Sequence, residues 1–169
     1  MIAPDEPGTA PGASGRHEVR GADVVIRGAR RADAPALVPL YADWDHPATA
    51  AVVEAVLDVW ARHDDRVILV AEAGDGLAGL AAVSAVPHLS RAGCGARLVG
   101  LVVGRTHRRR GVASALVDAA ERHARGWGCD QIELTSARFR EEAHLFYPAR
   151  GYEETSGHHA RYLKRLGAG

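Results

Sequence analysis

Apolar residues along the chain follow two periods, which predict an alternation of helices and strands. A spacing of three and four residues predicts helices, whereas short runs rich in Val, Ile and Leu predict buried strands. The predicted strands lie at residues 24–26, 67–72, 77–86, 97–103 and 131–135, with two closing strands from Tyr152 onward and at 161–166. The predicted helices lie at residues 33–41, 52–63, 111–126 and 141–147. This alternation predicts a mixed sheet with helices on both faces.

Cap and turn residues mark the ends of several of these elements. Asp33 precedes the first helix as its predicted N-cap, and Gly126 ends the third as its predicted C-cap. The turn residues at 73–76 separate the second and third strands, so these strands are expected to form a hairpin.

The composition limits the classes of protein that fit. The 169 residues suffice for one domain, and 47% apolar with 25% charged residues is the usual balance of a soluble globular protein. Twenty-one basic and 21 acidic side chains cancel, so no overall field favours nucleic acid. No apolar run approaches the ~20 residues that cross a bilayer.

The start of the chain and the cysteines add two expectations. Residues 1–22 are rich in Pro, Gly and Ala and lack the apolar run of a signal peptide, which predicts a disordered tail before a domain at 23–166. Cys94 and Cys129 are too few for a disulfide scaffold and too far apart for a zinc site. We therefore expect no metal and a reducing, cytoplasmic compartment.

The segment LVGLVVGRTHRRRGVAS carries the most specific signal, because an apolar strand leads through three arginines directly into a helix. A helix N-terminus presents backbone N–H groups without partners and a partial positive charge, so it binds phosphate. Small residues at Gly111, Ala113 and Ser114 allow close approach. The arginines can pair with a pyrophosphate and with a nucleotide 3′-phosphate.

Other interpretations of this loop are weaker. A nucleoside-triphosphate loop would require Gly-Lys-Ser/Thr, whereas Val112 and Ala113 follow Gly111. A dinucleotide fingerprint would require three glycines, and only Gly111 lies in the turn. A solvated basic turn stays the alternative, although its place between a buried strand and a helix favours the anion site.

Two motifs carry a resemblance to a known family. The pattern Arg108-x-x-Gly111-x-Ala113 after a buried strand resembles the Arg/Gln-x-x-Gly-x-Gly/Ala signature of the GNAT superfamily of N-acetyltransferases, and AHLFYPARGYEE resembles its second landmark. The likeness covers residues 24–166. It implies a mostly antiparallel sheet of six to seven strands, splayed between the fourth and fifth predicted strands, and acetyl-CoA as co-substrate.

The resemblance also implies roles for individual residues. Those expected to bind acetyl-CoA are Leu101, Val102 and Val103 along the pantetheine arm, and Arg108, Arg109, Arg110, Gly111, Val112, Ala113 and Ser114 around the phosphates. The N–H of Val103 would stabilise the oxyanion. Tyr147 matches the tyrosine that protonates the departing thiolate in many relatives; the alternative is a core aromatic beside Phe146.

Two positions depart from the expected pattern, Val99 and Arg140. Val99 occupies the place of a glutamate that serves many relatives as general base. The candidate substitutes are Glu133, His88, His46, Asp43 and Asp45. Arg140 stands where many relatives have an asparagine that contacts the cofactor.

His158 and His159 are neighbours in a predicted strand, so they point to opposite faces and do not predict a shared metal site.

These observations predict an enzyme that transfers the acetyl group of acetyl-CoA to a primary amine of a small molecule or peptide by direct attack in a ternary complex. The alternative is a non-catalytic acyl-CoA-binding module, which the missing glutamate favours. A third, weaker reading is nucleic-acid binding through the basic loop. For the acceptor, Asp43, Asp45 and Glu54 favour a cationic small molecule, while a peptide N-terminus and a lysine stay open. The resemblance also allows a homodimer built through the terminal strands.

Overall fold

The structure is a computed structural model that describes residues 24–157 and the backbone of a two-residue strand. The strands are β1 (His17–Glu18), β2 (Val25–Gly28), β3 (Arg66–Ala73), β4 (Gly76–Pro87), β5 (Cys94–Val103) and β6 (Cys129–Glu133). The helices are α1 (Ala34–Asp43), α2 (Ala50–Trp60), α3 (Val112–Gly126) and α4 (Glu141–Phe146), with 3-10 turns at Arg31–Asp33, Arg105–His107 and Pro148–Arg150. The chain divides into two compact units, Met1–Leu134 and Thr135–Gly169.

The strands of the first unit form one sheet in the order β1-β2-β3-β4-β5-β6. Neighbouring strands are antiparallel except β5 and β6, which are parallel because α3 crosses over between them. The register of β5 with β6 ends at the pair Arg97–Glu133. Among the described residues, positions 98–103 of β5 therefore have no strand partner on the β6 side.

Helices α1 and α2 cover one face of the sheet. Thr49 caps α2 by accepting a hydrogen bond from the Val52 N–H, which supplies one of the partners that a helix start lacks. The buried side chains of this layer form one cluster: Ala34, Leu37, Leu40, Val53, Leu57, Ile68, Val70, Leu80, Ala82 and Val102. Burial of this apolar surface holds the two helices against β3, β4 and β5.

Helix α3 packs on the other face. Its apolar residues recur at helical spacing, and the buried ones are Val112, Ala115, Leu116, Val117, Ala119, Ala120 and Ala124. Gly79 allows this packing, because a methyl group there would lie 2.6 Å from the Val102 carbonyl oxygen and 3.1 Å from Leu116 Cδ1. The close approach holds the start of α3 next to the end of β5.

The predicted number of strands is not matched. Among the described residues the sheet has five strands of four or more residues, and β1 adds only two residues at its edge. The predicted closing strand is absent from residues 152–157, and the segment 161–166, like His158 and His159, lies outside the described residues. The fifth predicted strand also begins two residues earlier, at Cys129.

The two predicted helix caps have different outcomes. Asp33 is the N-cap residue of α1 as predicted, but its carboxylate makes no capping bond; it accepts hydrogen bonds from the Arg30 N–H at 2.7 Å and from the Arg27 guanidinium at 2.7 and 2.9 Å. Gly126 is the last residue of α3, and Gly128, with φ of 77°, takes the left-handed conformation after the helix. A left-handed residue at that position commonly ends a helix.

The two cysteines are joined. Cys94 and Cys129 are register partners at the start of the β5–β6 pair, with Cα atoms 4.5 Å apart, and they form a disulfide. Because two cysteines are too few for a disulfide scaffold, the sequence did not predict this bond. The crossover through α3 brings together two residues that are 35 positions apart in sequence.

Candidate functional site

The end of β5 presents part of its backbone at the open edge of the strand. The Gly104 N–H donates to the Ala78 carbonyl oxygen at 2.9 Å, so this group points toward β4. Backbone groups alternate along an antiparallel strand, and the N–H and C=O of Leu101 and Val103 therefore point to the opposite edge. Val102 differs from its neighbours, since its backbone faces β4 and its side chain is buried in the α1–α2 cluster.

A β-bulge interrupts β5 at the position of the missing glutamate. Leu98 pairs with Val83 and Gly100 with Ala82, so Val99 is the extra residue between them. Its side chain is 47% exposed. Bulges re-aim side chains and are frequent near active sites. The exposed apolar side chain of Val99 cannot accept a proton.

The loop after β5 turns sharply before α3. Arg108 is extended, with φ of −65° and ψ of 152°, whereas Arg109, with φ of 61°, and Gly111, with φ of 79°, are left-handed. These two left-handed residues redirect the chain from β5 into α3. Arg109 carries a Cβ, so its left-handed conformation costs about 1 kcal/mol, a strain of the kind that accumulates at ligand-binding loops.

The start of α3 follows this turn and presents N–H donors to an anion. The first intrahelical bond runs from the Ala115 N–H to the Gly111 carbonyl oxygen at 3.0 Å, so the N–H groups of Val112, Ala113 and Ser114 have no acceptor within the helix. Val112 is buried, whereas Ala113 and Ser114 are half-buried. Because the helix dipole is positive at this end, the site favours a phosphate.

Three contacts fix the loop to the rest of the first unit. Asp43, at the end of α1, accepts from the Arg105 N–H at 3.1 Å and pairs with Arg105 Nε at 2.9 Å. His107 Nε2 lies 3.0 Å from the Asp75 carboxylate in the β3–β4 turn. The hydrogen bond to His107 is the main reason why the pKa of Asp75 lies below its ordinary value.

The third contact joins the loop to β5 itself, since Arg108 Nε donates to the Val103 carbonyl oxygen at 3.3 Å. Sequence reasoning missed both aspartates, Asp43 and Asp75, as anchors of the loop. They lie 62 and 32 positions from their partners, a separation at which no local pattern reveals a contact. The loop is thus held at both neighbouring elements as well as at its own strand.

Tyr147 belongs to the second unit, directly after α4. Its ring packs edge-to-face against Phe146, with centroids 5.2 Å apart, and against Tyr152 at 5.5 Å. Burial raises the pKa of Tyr147 above its ordinary value of 10.0, while the positive charge of Arg140 acts in the opposite direction. The hydroxyl therefore keeps its proton throughout the neutral range.

The candidate bases lie in different surroundings. The Asp43 carboxylate accepts a hydrogen bond from the Arg105 N–H, and His88 Nε2 lies 3.1 Å from the Asp130 carboxylate. Glu133 accepts from Arg97 Nη1 at 3.0 Å and is 60% exposed. The His46 ring stands edge-to-face to the Trp44 ring, with centroids 5.0 Å apart. Arg140, at the expected asparagine position, lies over the Phe139 ring.

The described part of the chain contains neither a metal-binding cluster nor a membrane-spanning helix. In residues 24–157, no three His, Cys, Asp or Glu side chains are grouped so as to hold a metal ion. None of the helices in this part of the chain has the length and apolar character that a membrane span requires.

The family follows from a match along most of this fold. A sequence profile described as Acetyltransferase (GNAT) family matches residues 34–152. Since the match spans well over half of the 169 residues, the chain belongs to the GNAT acetyltransferase family. The protein is accordingly an acyltransferase whose family uses acetyl-CoA as co-substrate and acts on amine-bearing substrates. The resemblance stated from the sequence is confirmed.

Solved structures share the fold. A putative acetyltransferase from Agrobacterium tumefaciens is 26% identical, with a TM-score of 0.72 over 83% of this chain and 99% of that chain. A transcriptional regulator from Bacillus halodurans is 23% identical, with a TM-score of 0.76 over 85% and 99% of the two chains. A GNAT family acetyltransferase from Staphylococcus aureus is 19% identical, with a TM-score of 0.71 over 85% and 99%.

The latter two similarities support the fold alone, given their low identity. A comparison of the sequence with curated proteins finds no significant match.

Proposed function

We propose that this acyltransferase moves the acetyl group of acetyl-CoA to a primary amine of a small molecule or peptide by direct attack, with both substrates bound together. The observation that carries the proposal is the start of α3, where the N–H groups of Val112, Ala113 and Ser114 have no acceptor within the helix, next to the open edge of β5. Basic side chains alone would also suit a solvated turn. N–H groups at the positive end of a helix, reached through a strained left-handed turn at Arg109, are better suited to a diphosphate.

The residues present fit the proposed co-substrate. The N–H groups of Val112, Ala113 and Ser114 would hold the pyrophosphate, with Arg108, Arg109 and Arg110 supplying charge. The backbone of Leu101 and Val103 would pair with the amide groups of the pantetheine arm along the edge that β6 leaves open. For Val102, the proposed contribution is reduced to packing, because its backbone faces β4.

The remaining chemistry is assigned to residues of this chain. When bound, acetyl-CoA supplies the acetyl group as an activated thioester. The N–H groups of Leu101 and of Val103, the donor expected from the sequence, are both directed to the open edge. The one that the arm does not engage can donate to the thioester oxygen as it gains negative charge. The Tyr147 hydroxyl retains its proton and would donate it to the leaving sulfur.

For the general base, Glu133 and His46 are the candidates that the contacts favour. Asp43 is held by two bonds to Arg105, and His88 is engaged with Asp130. Glu133 lies where the β5–β6 register ends, next to the open edge, and has one oxygen in its bond with Arg97. The dependence of kcat/KM on pH distinguishes the two candidates. The variant that removes the true base, Glu133→Gln or His46→Ala, should lose the acidic limb of this profile, and the other variant should keep it.

The proposal is tested in two measurements on the whole chain. Calorimetric titration with coenzyme A, and with a form lacking the 3′-phosphate, reports whether the loop binds the nucleotide and whether the arginines read the extra phosphate. Release of free thiol from acetyl-CoA in the presence of an amine panel, with mass spectrometry of the amines, reports transfer. Absence of heat on titration would exclude the site, and binding without transfer to any amine would favour the non-catalytic module.

A further inference from the structure

A row of polar side chains crosses the sheet on the face that carries α1 and α2. The register pairs Arg66 of β3 with Ser84 of β4, Ser84 with Arg97 of β5, and Arg97 with Glu133 of β6. Register partners share a face. Ile68, two positions from Arg66, packs in the α1–α2 cluster, so the row lies on that side of the sheet.

The helices leave this row accessible. The side chains of Arg66, Arg97 and Glu133 are 32%, 42% and 60% exposed. Trp44 covers the neighbouring Gly100, which lies three residues beyond Arg97 along β5. The row thus lies next to the aromatic surface of Trp44 and borders the part of β5 whose outer edge is open.

A ligand could replace the present carboxylate partners of Arg66 and Arg97. Arg97 uses Nη1 for Glu133 at 3.0 Å, and Arg66 uses Nε for Asp65 at 3.0 Å. A guanidinium has five N–H donors, so each of these bonds occupies only a part of its capacity. Exposed ion pairs of this kind contribute little to stability, so opening one to admit a charged ligand costs little.

The position of the pair matters for the reaction, and this step rests on the proposed function. An extended arm held by the backbone of Val103 and Leu101 would run from the phosphate site toward the start of β5. The pair Arg97–Glu133 lies further along β5 in that direction and is the last pair of the β5–β6 register. An amine that approaches the thioester from that end would lie beside one guanidinium and one carboxylate.

We infer that the acceptor is an amine that carries a carboxylate close to its amino group, as a free amino acid does. Its carboxylate would replace Glu133 on Arg97 and bind the guanidinium through two bonds instead of one, with the Ser84 hydroxyl on the same row. Its ammonium would take the place of the guanidinium at Glu133. A cationic acceptor was suggested by Asp43, Asp45 and Glu54. It is disfavoured because two of these three carboxylates already have cationic partners, Asp43 with Arg105 and Glu54 with Arg31.

Matched pairs of compounds test the inference: amino acids and the amines that remain after their decarboxylation, such as phenylalanine and phenethylamine. Phenylalanine amide adds a neutral analogue that resembles a peptide N-terminus. We expect kcat/KM for the amino acid to exceed that for the decarboxylated amine at least tenfold. Arg97→Gln should reduce this preference at least tenfold, and Arg97→Lys should restore part of it.

Arg91→Gln is the matched control. It removes an arginine that is 51% exposed and paired with another β6 carboxylate, Asp130, outside the row. We expect it to retain the preference of the parent protein. Equal kcat/KM for the members of each pair, or an equal loss of preference in Arg97→Gln and Arg91→Gln, would overturn the inference and leave the acetyltransferase proposal standing.

Direct binding separates the two proposals further. Amino acid and decarboxylated amine are titrated calorimetrically into protein saturated with coenzyme A, which permits no transfer. Selective binding of the amino acid without turnover in the thiol assay would support the inference and contradict the proposed reaction. If neither compound binds and no amine is acetylated, both proposals fail.

Discussion

Trp44 rests directly on Gly100. A methyl group at Gly100 would lie 2.4 Å from Cη2 and 2.8 Å from Cζ2 of the Trp44 ring, which is closer than atoms can approach. Trp44 follows α1, and Gly100 is the residue of β5 just after the bulge at Val99. The contact therefore seats the α1–α2 connection on the strand that borders the proposed acetyl-transfer site.

The first prediction concerns this contact. Gly100→Ala forces the Trp44 ring off β5, and we expect the free energy of unfolding to fall by about 1–3 kcal/mol, as is usual for overpacking. Displacement of the ring should also raise KM for the acceptor. Urea unfolding and steady-state kinetics measure the two effects.

Gly28→Ala is the control for that substitution, since nothing lies within 4 Å of a methyl group at Gly28 and the residue is also in a strand. Adding Trp44→Leu to Gly100→Ala should recover part of the lost stability, because the clashing atoms are gone. Strictly additive effects in this double-mutant cycle would contradict the contact.

Gly111 tests the phosphate site. Its φ of 79° is strained for any residue with a Cβ, so Gly111→Ala should cost about 1 kcal/mol of stability and displace the N–H groups at the start of α3. We expect KM for acetyl-CoA to rise at least tenfold, with a smaller change in kcat. Gly128→Ala introduces the same kind of strain at φ of 77°, beyond the other end of α3. Equal KM values for the two variants would argue against the site.

Tyr147→Phe removes the proposed acid. We expect kcat to fall about a hundredfold, within the usual contribution of a general acid, while KM for acetyl-CoA changes little. Because burial raises the pKa of Tyr147 above 10.0, the parent enzyme should lose activity only as pH rises beyond that value. The variant should lack this alkaline limb. Tyr152→Phe, in the same aromatic group, is the control and should keep both the rate and the limb.

Asp130 gives a prediction for acid pH. Its pKa is lowered from 3.8 to about 2, chiefly by its hydrogen bond with Arg91 and then by His88. A depressed pKa stabilises the fold above the ordinary value, and this contribution is lost as pH falls from about 4 toward 2. In Arg91→Gln, the pKa of Asp130 should therefore rise toward 3.8. Carboxyl NMR titration measures it, and an unchanged pKa would show that the Arg91 contact is not formed in solution.

The disulfide predicts a dependence on reductant. Cys94 and Cys129 enclose β5, the phosphate loop and α3, and they are 35 positions apart. Opening a loop of that length should lower the free energy of unfolding by about 4 kcal/mol on the chain-entropy argument. Urea unfolding with and without a thiol reductant measures the change. The free energy of unfolding of Cys94→Ser should not change with reductant. If that of the parent protein does not change either, the disulfide is not formed.

Local patterns predicted much of this fold. The helices at α1, α2 and α3 and the strands β3, β4 and β5 follow from apolar periodicity, because each buries one face and each face repeats along the chain. The phosphate loop was equally visible, since Arg108, Gly111 and Ala113 lie in one short segment between a strand and a helix. The capping bond of Asp33 was wrong because its carboxylate bonds Arg27, a residue outside the helix. The C-cap at Gly126 and the strand from Tyr152 were wrong because local pattern locates the ends of elements less precisely than their middles.

The sequence by itself thus determined the class of fold, the loop and its resemblance to the GNAT family, all of which depend on residues close together in the chain. Only the tertiary structure decided which distant side chains meet: Asp43 with Arg105, Cys94 with Cys129, Trp44 with Gly100, and Arg97 with Glu133. The reason is physical. A periodic pattern reports which face of an element is buried, whereas strand register and crossover geometry choose the partner on that face.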